Sequence, residues 1–214
     1  MRVLDLLLPP ACAGCGQSGA LLCHRCVGRL ERAAEVSSRF VVADAGVVVG
    51  DSLLVAVAAF AHAGPMRRAL AALKYAGARR LAPALARLVV PEARAIQRIS
   101  GAASLVPVPV HRDRLASRGY NQAALIATAL SGHLQSATAD VLQRVRPTTK
   151  QHGLDRASRL RNLRGAFTAS GIAPETAILV DDIITTTATL EACAEALRVA
   201  GCREVYGLAL AREV

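Results

Sequence analysis

Ala177–Gly201 reads AILVDDIITTTATLEACAEALRVAG, and its order of residue types decides the fold class. A short apolar run, Ala177–Val180, predicts a buried parallel strand. Asp181 and Asp182 follow as an acidic tip, and then a small-residue turn carries Thr185, Thr186, Thr187 and Thr189. Beyond it Leu190, Cys193, Ala194 and Leu197 recur at helical spacing, so one face of an amphipathic helix is expected there. Gly201 stands where a C-terminal capping glycine belongs. A second unit of the same kind spans Leu105–Leu134, and a last strand is expected near Glu204–Leu210. Repeated strand–turn–helix units imply an α/β domain with a mostly parallel sheet flanked by helices, and ligands at the carboxyl ends of the strands.

The same stretch has a chemical logic. Free backbone N–H groups and the dipole at a helix N-terminus favour an anion. Threonine hydroxyls add donors, and small side chains let a phosphate approach the backbone. Two carboxylates repel that phosphate and suit neutral hydroxyls or a hard cation such as magnesium. Phosphoribosyl pyrophosphate (PRPP) has a phosphate at one end, vicinal hydroxyls in the middle and a metal-bound pyrophosphate at the other. An ordinary αβ turn with an acidic edge would use the same residue types.

VDDIITTTAT resembles the PRPP-binding motif of type I phosphoribosyltransferases. The resemblance implies Asp181 and Asp182 at the ribose hydroxyls, with Thr185, Thr186, Thr187, Ala188 and Thr189 around the 5′-phosphate. The family usually has glycine where this chain has Thr187. Threonine is costly at such a position if the turn needs φ > 0 or very close phosphate approach. The purine-salvage branch carries a carboxylate where Thr185 stands, so no base is expected at that position.

The totals set the frame. The chain has 214 residues, 53% hydrophobic and 20% charged, enough for one substantial core plus a small appendage and too apolar for disorder. The longest apolar region, Phe40–Ala61, is interrupted by Asp44 and Asp51, so no membrane insertion is expected. MRVLDLLLPP has an acid inside a very short apolar stretch, unlike a secretory signal, and the cytoplasm is the expected compartment. Net charge is +10, and two lysines, Lys74 and Lys150, stand among 26 basic residues. From His111 to Arg164 ten Lys/Arg face three Asp, so +7 of the +10 lies there. Such a patch suits polyphosphate or nucleic acid, and arginine-rich composition alone would also produce it.

Residues 1–34 are expected to form a separate module. Cys12-x₂-Cys15 and Cys23-x₂-Cys26 lie seven residues apart, a spacing that suits four thiolates on a tetrahedral structural zinc. His24 offers a substitute ligand inside the second pair. A disulfide pair fits the expected compartment poorly, and a redox motif fits the doubled pattern poorly. Cys193 and Cys202 lie far along the chain and read as buried packing.

In the remainder, 35–214, Phe40–Ala61 reads as two strands and Pro65–Lys74 as a short helix with Met66, Ala69, Leu70 and Leu73 on one face. A second helix carries Leu81, Leu85, Leu88 and Val89. Lys74, in LKYAG, stands at a helix end where the dipole alone favours a cation, so a ligand role is one of two readings for it. SLVPVPV (104–110) predicts a strand ending near Val106, because Pro107 and Pro109 do not belong inside a ladder. A constrained basic loop with His111, Arg112, Arg114, Arg118 and Gly119 should follow, before a helix near Asn121 that buries Ile126, Leu130 and Leu134. RGYNQ resembles the pyrophosphate-binding loop of type I phosphoribosyltransferases, which implies Arg118 and Gly119 as pyrophosphate contacts.

The double-CxxC head, LKYAG, VPVPVHRDRLASRGYNQA, RVRPTTKQHGLDRASRLRNLRGAF and the PRPP motif occur in the order typical of ComF/GntX-type proteins. The chain is similar to that amidophosphoribosyltransferase-like family, linked to bacterial competence and DNA uptake, over nearly its whole length. The resemblance implies a type I phosphoribosyltransferase-like domain over 35–214 with a small zinc-ribbon-like module. It also implies a mobile loop over the site, where Thr149, Gln151, Arg159 and Asn162 fall on the family pattern, between strands Val141–Val145 and Gly165–Thr168. Expected ligands are structural zinc and magnesium with PRPP; the acceptor is not named by the sequence. Three functional classes follow: a PRPP-dependent transferase, a protein handling single-stranded DNA with the competence machinery, and a PRPP sensor without turnover. With aromatic content at 3% and no Trp, DNA binding would rest on phosphates rather than stacking.

Overall fold

The computed structural model describes residues 9–33, 46–48, 51–146, 163 and 165–213. In chain order these form α1 (His24–Val27), β1 (Gly46–Val48), β2 (Val55–Ala61), α2 (Gly64–Tyr75), α3 (Ala82–Leu88), α4 (Val90–Ser100), β3 (Ser104–Pro107), α5 (Arg112–Arg118), α6 (Gln122–Leu134), β4 (Leu142–Arg144), β5 (Phe167–Ala169), β6 (Thr176–Ile184), α7 (Ala188–Val199) and β7 (Glu204–Arg212). A 3₁₀ turn, Arg79–Leu81, precedes α3.

The main sheet has the order β1-β2-β7-β6-β3. β2, β7, β6 and β3 run parallel, and β1 pairs antiparallel on the edge of β2. The central strands are covered on both faces, which explains their continuous apolar runs. On one face α2, α3, α4 and α6 set Leu70, Leu73, Leu85, Ile96, Ile126 and Leu130 against Ile178, Val180 and Leu208. On the other, Leu190, Cys193 and Leu197 of α7, with Leu142 and Phe167 of the β4–β5 pair, cover Leu179, Val205 and Ala209. The amphipathic stripe read from Leu190 to Leu197 is thus buried as expected, and Cys193 and Cys202 are both buried packing.

Several boundaries differ from the sequence expectation, each for a physical reason. β6 does not stop at Val180. β7 supplies a ladder as far as Ile184 opposite Arg212, so Asp181 and Asp182 lie within the strand rather than at its tip. β3 includes Pro107, which is tolerated because β3 pairs with β6 alone among the named strands. The segment between Arg112 and Arg118 is helical, not an irregular loop. His111 Nδ1 accepts from the Asp113 amide at 3.4 Å, and Gly119 ends the helix at φ 76. α5 buries no residue, so its sequence has no apolar period to betray it. α4 is an additional helix that the sequence expectation did not include, although Pro91 in its first turn and the buried Ala93 and Ile96 give it the ordinary signals of a helix start and face. The expected strands Val141–Val145 and Gly165–Thr168 appear as the shorter antiparallel pair β4 and β5.

Gly207 stands where β7 passes between β2 and α7. A Cβ there would fall 2.9 Å from the Ala56 Cβ and 3.2 Å from Leu190 Cδ1. Gly207→Val should therefore cost about 2 kcal/mol through overpacking, read as a lower urea midpoint with the far-UV spectrum unchanged.

Candidate functional site

Two centres emerge, joined by α2. The first is the cysteine cluster. Each sulfur of Cys12, Cys15, Cys23 and Cys26 lies within 4.8 Å of the others, and Cys15 and Cys23 are 3.7 Å apart. A tetrahedral zinc with Zn–S bonds of about 2.3 Å needs sulfurs roughly 3.8 Å apart, so the four thiols fit a structural Cys₄ centre. His24 is exposed and stands outside the cluster. Burial by itself would raise the Cys12 thiol, but the amides of Cys23, Gly14 and Cys15 outweigh it and bring its pKa down to about 6. Burial and the neighbouring thiols push Cys26 up to about 12. A cation is the group that relieves such a cluster, since it binds thiolates. Position 14 must be glycine: a Cβ there would meet Cys26 Sγ at 2.7 Å and the Pro65 Cβ at 3.2 Å. The Gly14 carbonyl accepts from Arg68 Nε at 2.5 Å, and Ala13, Leu21, Leu22 and Leu30 pack on the main core, so the cluster sits against the first turns of α2.

The second centre lies where α2 ends. Along a strand, side chains alternate between faces, so Asp181 and Asp182 point to opposite sides of the sheet. Asp182, 3% exposed, faces α2 and α6. Its Oδ2 pairs with Lys74 Nζ, and its Oδ1 accepts from Gln122 Nε2 at 3.0 Å. Asp181 is half-buried on the α7 face, where its charge acts on Arg144 and on the Cys193 thiol. Desolvation first, and the Asp182 charge second, push the Asp181 carboxyl well above the usual carboxylate range.

The RGYNQ segment is pinned at several points. Tyr120 donates its hydroxyl to the Leu73 carbonyl near the end of α2. Asn121 Oδ1 caps α6 through the Ala123 amide at 3.0 Å, while Nδ2 donates to the Val108 carbonyl at 3.0 Å. Arg118 donates to Gln122 Oε1 and lies over the Tyr75 ring, 5.6 Å from its centroid. Arg79 lies over Tyr120, 4.5 Å from its ring centroid, and donates to the Gly119 carbonyl at 3.1 Å.

Lys74 and Asp182 thus meet directly, and Arg118, next to Gly119 in the chain, is joined to Asp182 through Gln122. For Lys74 the contact with Asp182 goes beyond the helix-dipole explanation. Thr185, Thr186 and Thr187 form the turn between β6 and α7, with Ala188 buried at the start of that helix and Thr189 inside it. Thr187 has φ −66 and ψ −8, a conformation open to any L-residue, so threonine in place of the family's glycine carries no backbone strain here. Thr149, Gln151, Arg159 and Asn162 lie outside the described residues, as do Lys150 and the 34/35 boundary.

Sequence reasoning missed four contributors. Gln122 is buried and bridges Arg118 to Asp182; its signal was a polar residue four before Ile126 on the buried stripe of α6. Arg144 reaches the Asp181 side from β4, where a three-residue strand offers no pattern. Arg79 supports the Gly119 turn. His62, just beyond β2, has its pKa lowered by burial, within reach of the charges of Glu213, Lys74 and Asp182. Only its tertiary setting distinguishes it.

Over 156 residues the chain is 32% identical to the DNA utilization protein YhgH of Escherichia coli (strain K12), covering 71% of this chain and 69% of that protein. The chain belongs to the ComF/GntX family. Within that family it is 35% identical over 130 residues to Competence protein F of Haemophilus influenzae, covering 58% of this chain and 57% of that protein. It is 33% identical over 145 residues to the YhgH of Salmonella typhi, 65% of this chain and 64% of that protein. No family model matches the chain. The ComF/GntX chain thus has a phosphoribosyltransferase-like parallel sheet and an N-terminal four-cysteine cluster consistent with a zinc module, and among its described residues no helix is long and apolar enough to cross a membrane.

Because its carboxyl is raised in the folded state, Asp181 binds its proton more tightly folded than unfolded. Its contribution is favourable below the ordinary carboxylate range of about 4 and is lost as pH rises toward the raised value. Asp181→Asn should therefore melt higher than wild type at pH 8, with the gap closing toward pH 4. Identical melting curves for the two proteins at every pH would contradict the raised carboxyl.

Proposed function

We propose that this protein binds PRPP with magnesium at the carboxyl end of β6. The carrying observation is geometric: adjacent acids near the end of β6, with Asp182 paired to Lys74 and Gln122, are separated by two residues from a threonine turn that leads into α7. Ribose hydroxyls donate to the half-buried Asp181, while Asp182, held by Lys74 and Gln122, fixes the floor of the site, and the 5′-phosphate lies in the turn of Thr185–Thr189 against the first amides of α7. Arg118 and the Gly119 turn take the pyrophosphate, with Lys74 adding positive charge. Gln151 and Arg159 are proposed to close over the ligand.

Transfer to an acceptor is the natural extension. The bond from C1′ to the pyrophosphate oxygen breaks with its electron pair leaving on pyrophosphate, and the acceptor forms the new bond at C1′. Magnesium on the pyrophosphate supplies charge neutralisation to the leaving group. The chain's own residues orient the ribose, hold the departing anion through Arg118 and Lys74, and exclude water. A PRPP sensor would use the same contacts without turnover, and release of pyrophosphate distinguishes the two.

Calorimetry tests the reading directly. Wild type should bind PRPP in magnesium and lose most of that affinity without it. Asp181→Asn, although better folded at neutral pH, should bind at least tenfold more weakly. Absence of binding by wild type would remove the PRPP reading.

A nucleic-acid reading has its own support. Relatives bear the names Competence protein F and DNA utilization protein YhgH, and α5 is solvent-exposed with Arg112 and Arg114 on it. Such binding to single-stranded DNA would be driven by phosphates. Its affinity would fall steeply with salt.

We also propose one structural zinc at Cys12, Cys15, Cys23 and Cys26. Elemental analysis of protein purified without chelator should give one zinc per chain, and Cys23→Ser should lose the metal and melt lower. Metal-free wild type of unchanged stability would contradict the assignment.

A further inference from the structure

The acid pair and the basic turn are connected by one side chain. Gln122 is 6% exposed, so its amide depends on protein partners at both ends. Nε2 donates to Asp182 Oδ1 at 3.0 Å, and Oε1 accepts from Arg118 Nη1. The reverse orientation would set a carbonyl against a carboxylate and an NH₂ against a guanidinium, both repulsive, so the charges fix the amide. The contacts then close on themselves. Asp182 Oδ2 pairs with Lys74, Lys74 is followed in the chain by Tyr75, and Arg118 lies over the Tyr75 ring. Both ends of the circuit are anchored on the same helix, α2. Its return path runs through the first residue of α6.

Arg118 carries the longest side chain of this ring. A guanidinium on a long stem samples many rotamers in water, and an anion that must collect it loses affinity by that ordering. Tyr75 is 74% exposed and offers Arg118 a face without a hydrogen-bond acceptor placed on it, so the ring alone does not fix the fork. The Gln122 carbonyl supplies the directional contact, and Asp182 holds Gln122 in turn.

We propose that Gln122 is a positioning residue that ties Arg118 to Asp182, so that the acid and basic ends of the site are ordered as one unit. Its consequence for ligand affinity rests on the PRPP reading above; the ordering of Arg118 does not. The two are therefore measured separately.

The first measurement uses ¹⁵N-labelled full-length protein without ligand. The Arg118 Nε–H resonance is assigned by its loss in Arg118→Lys. Wild type should show the high heteronuclear NOE of an ordered side chain, and Gln122→Met, which fills similar volume without donor or acceptor, should lose it. Asp182→Asn, an independent variant in case Gln122→Met does not fold, should shift and broaden the same resonance. An Arg118 signal equally ordered in Gln122→Met, or unmoved in Asp182→Asn, overturns the proposal.

The second measurement titrates inorganic pyrophosphate with magnesium. Gln122→Met should weaken binding about tenfold. The losses from Asp182→Asn and Arg118→Lys should be non-additive when Gln122 is present and additive when it is methionine. Additivity in both backgrounds overturns the coupling. If wild type binds neither pyrophosphate nor PRPP, the functional reading fails, and the resonance alone decides the positioning of Arg118.

Discussion

A carboxylate taken out of water must be met by charge and hydrogen bonds, or the fold loses several kilocalories per mole. Asp182 sets that condition at the middle of the sheet. Its two oxygens call for Lys74 from α2 and Gln122 from α6, two helices far apart in the chain. Satisfying Asp182 therefore fixes the end of α2 and the start of α6 relative to β6. The hydroxyl of Tyr120 on the Leu73 carbonyl repeats the constraint one residue away. Packing of Leu70, Leu73, Ile126 and Leu130 supplies the bulk of the cohesion. The buried polar contacts supply its register.

The neighbouring acid lives under the opposite condition. Asp181 lies on the α7 side, with its carboxyl raised by desolvation and by Asp182. One acid is neutralised by a lysine from α2, and the other accepts from the Asp182 amide at 2.8 Å and faces the charge of Arg144. Two adjacent aspartates in one strand thus have different environments because the pleat turns them apart. Identical residue types do not imply identical roles.

How much of this was legible beforehand depended on periodicity. The strand–turn–helix unit at Ala177–Gly201 was readable because Leu190, Cys193, Ala194 and Leu197 repeat at helical spacing, and the paired CxxC spacing announced the sulfur cluster. The extent of β6 was not readable, because whether a strand continues past Val180 depends on what β7 offers alongside. α5 escaped because a helix that buries nothing has no stripe. Lys74 had a sufficient local explanation at a helix end, and its cross-chain partner is a purely tertiary fact. Gln122 left a trace, a polar residue on an apolar stripe, whose meaning needed Asp182 opposite it.

α2 touches both centres. Its first turns meet the cysteine knuckle through Pro65 and Arg68, and its last turn delivers Lys74 and Tyr75. A helix advances about 1.5 Å and turns about 100° with each residue. Inserting or deleting one residue between Arg68 and Lys74 would swing the lysine off Asp182 or the arginine off Gly14, whichever end stayed docked. The length of this helix is therefore under as strict a constraint as the identity of the side chains it carries: its phase is part of the site.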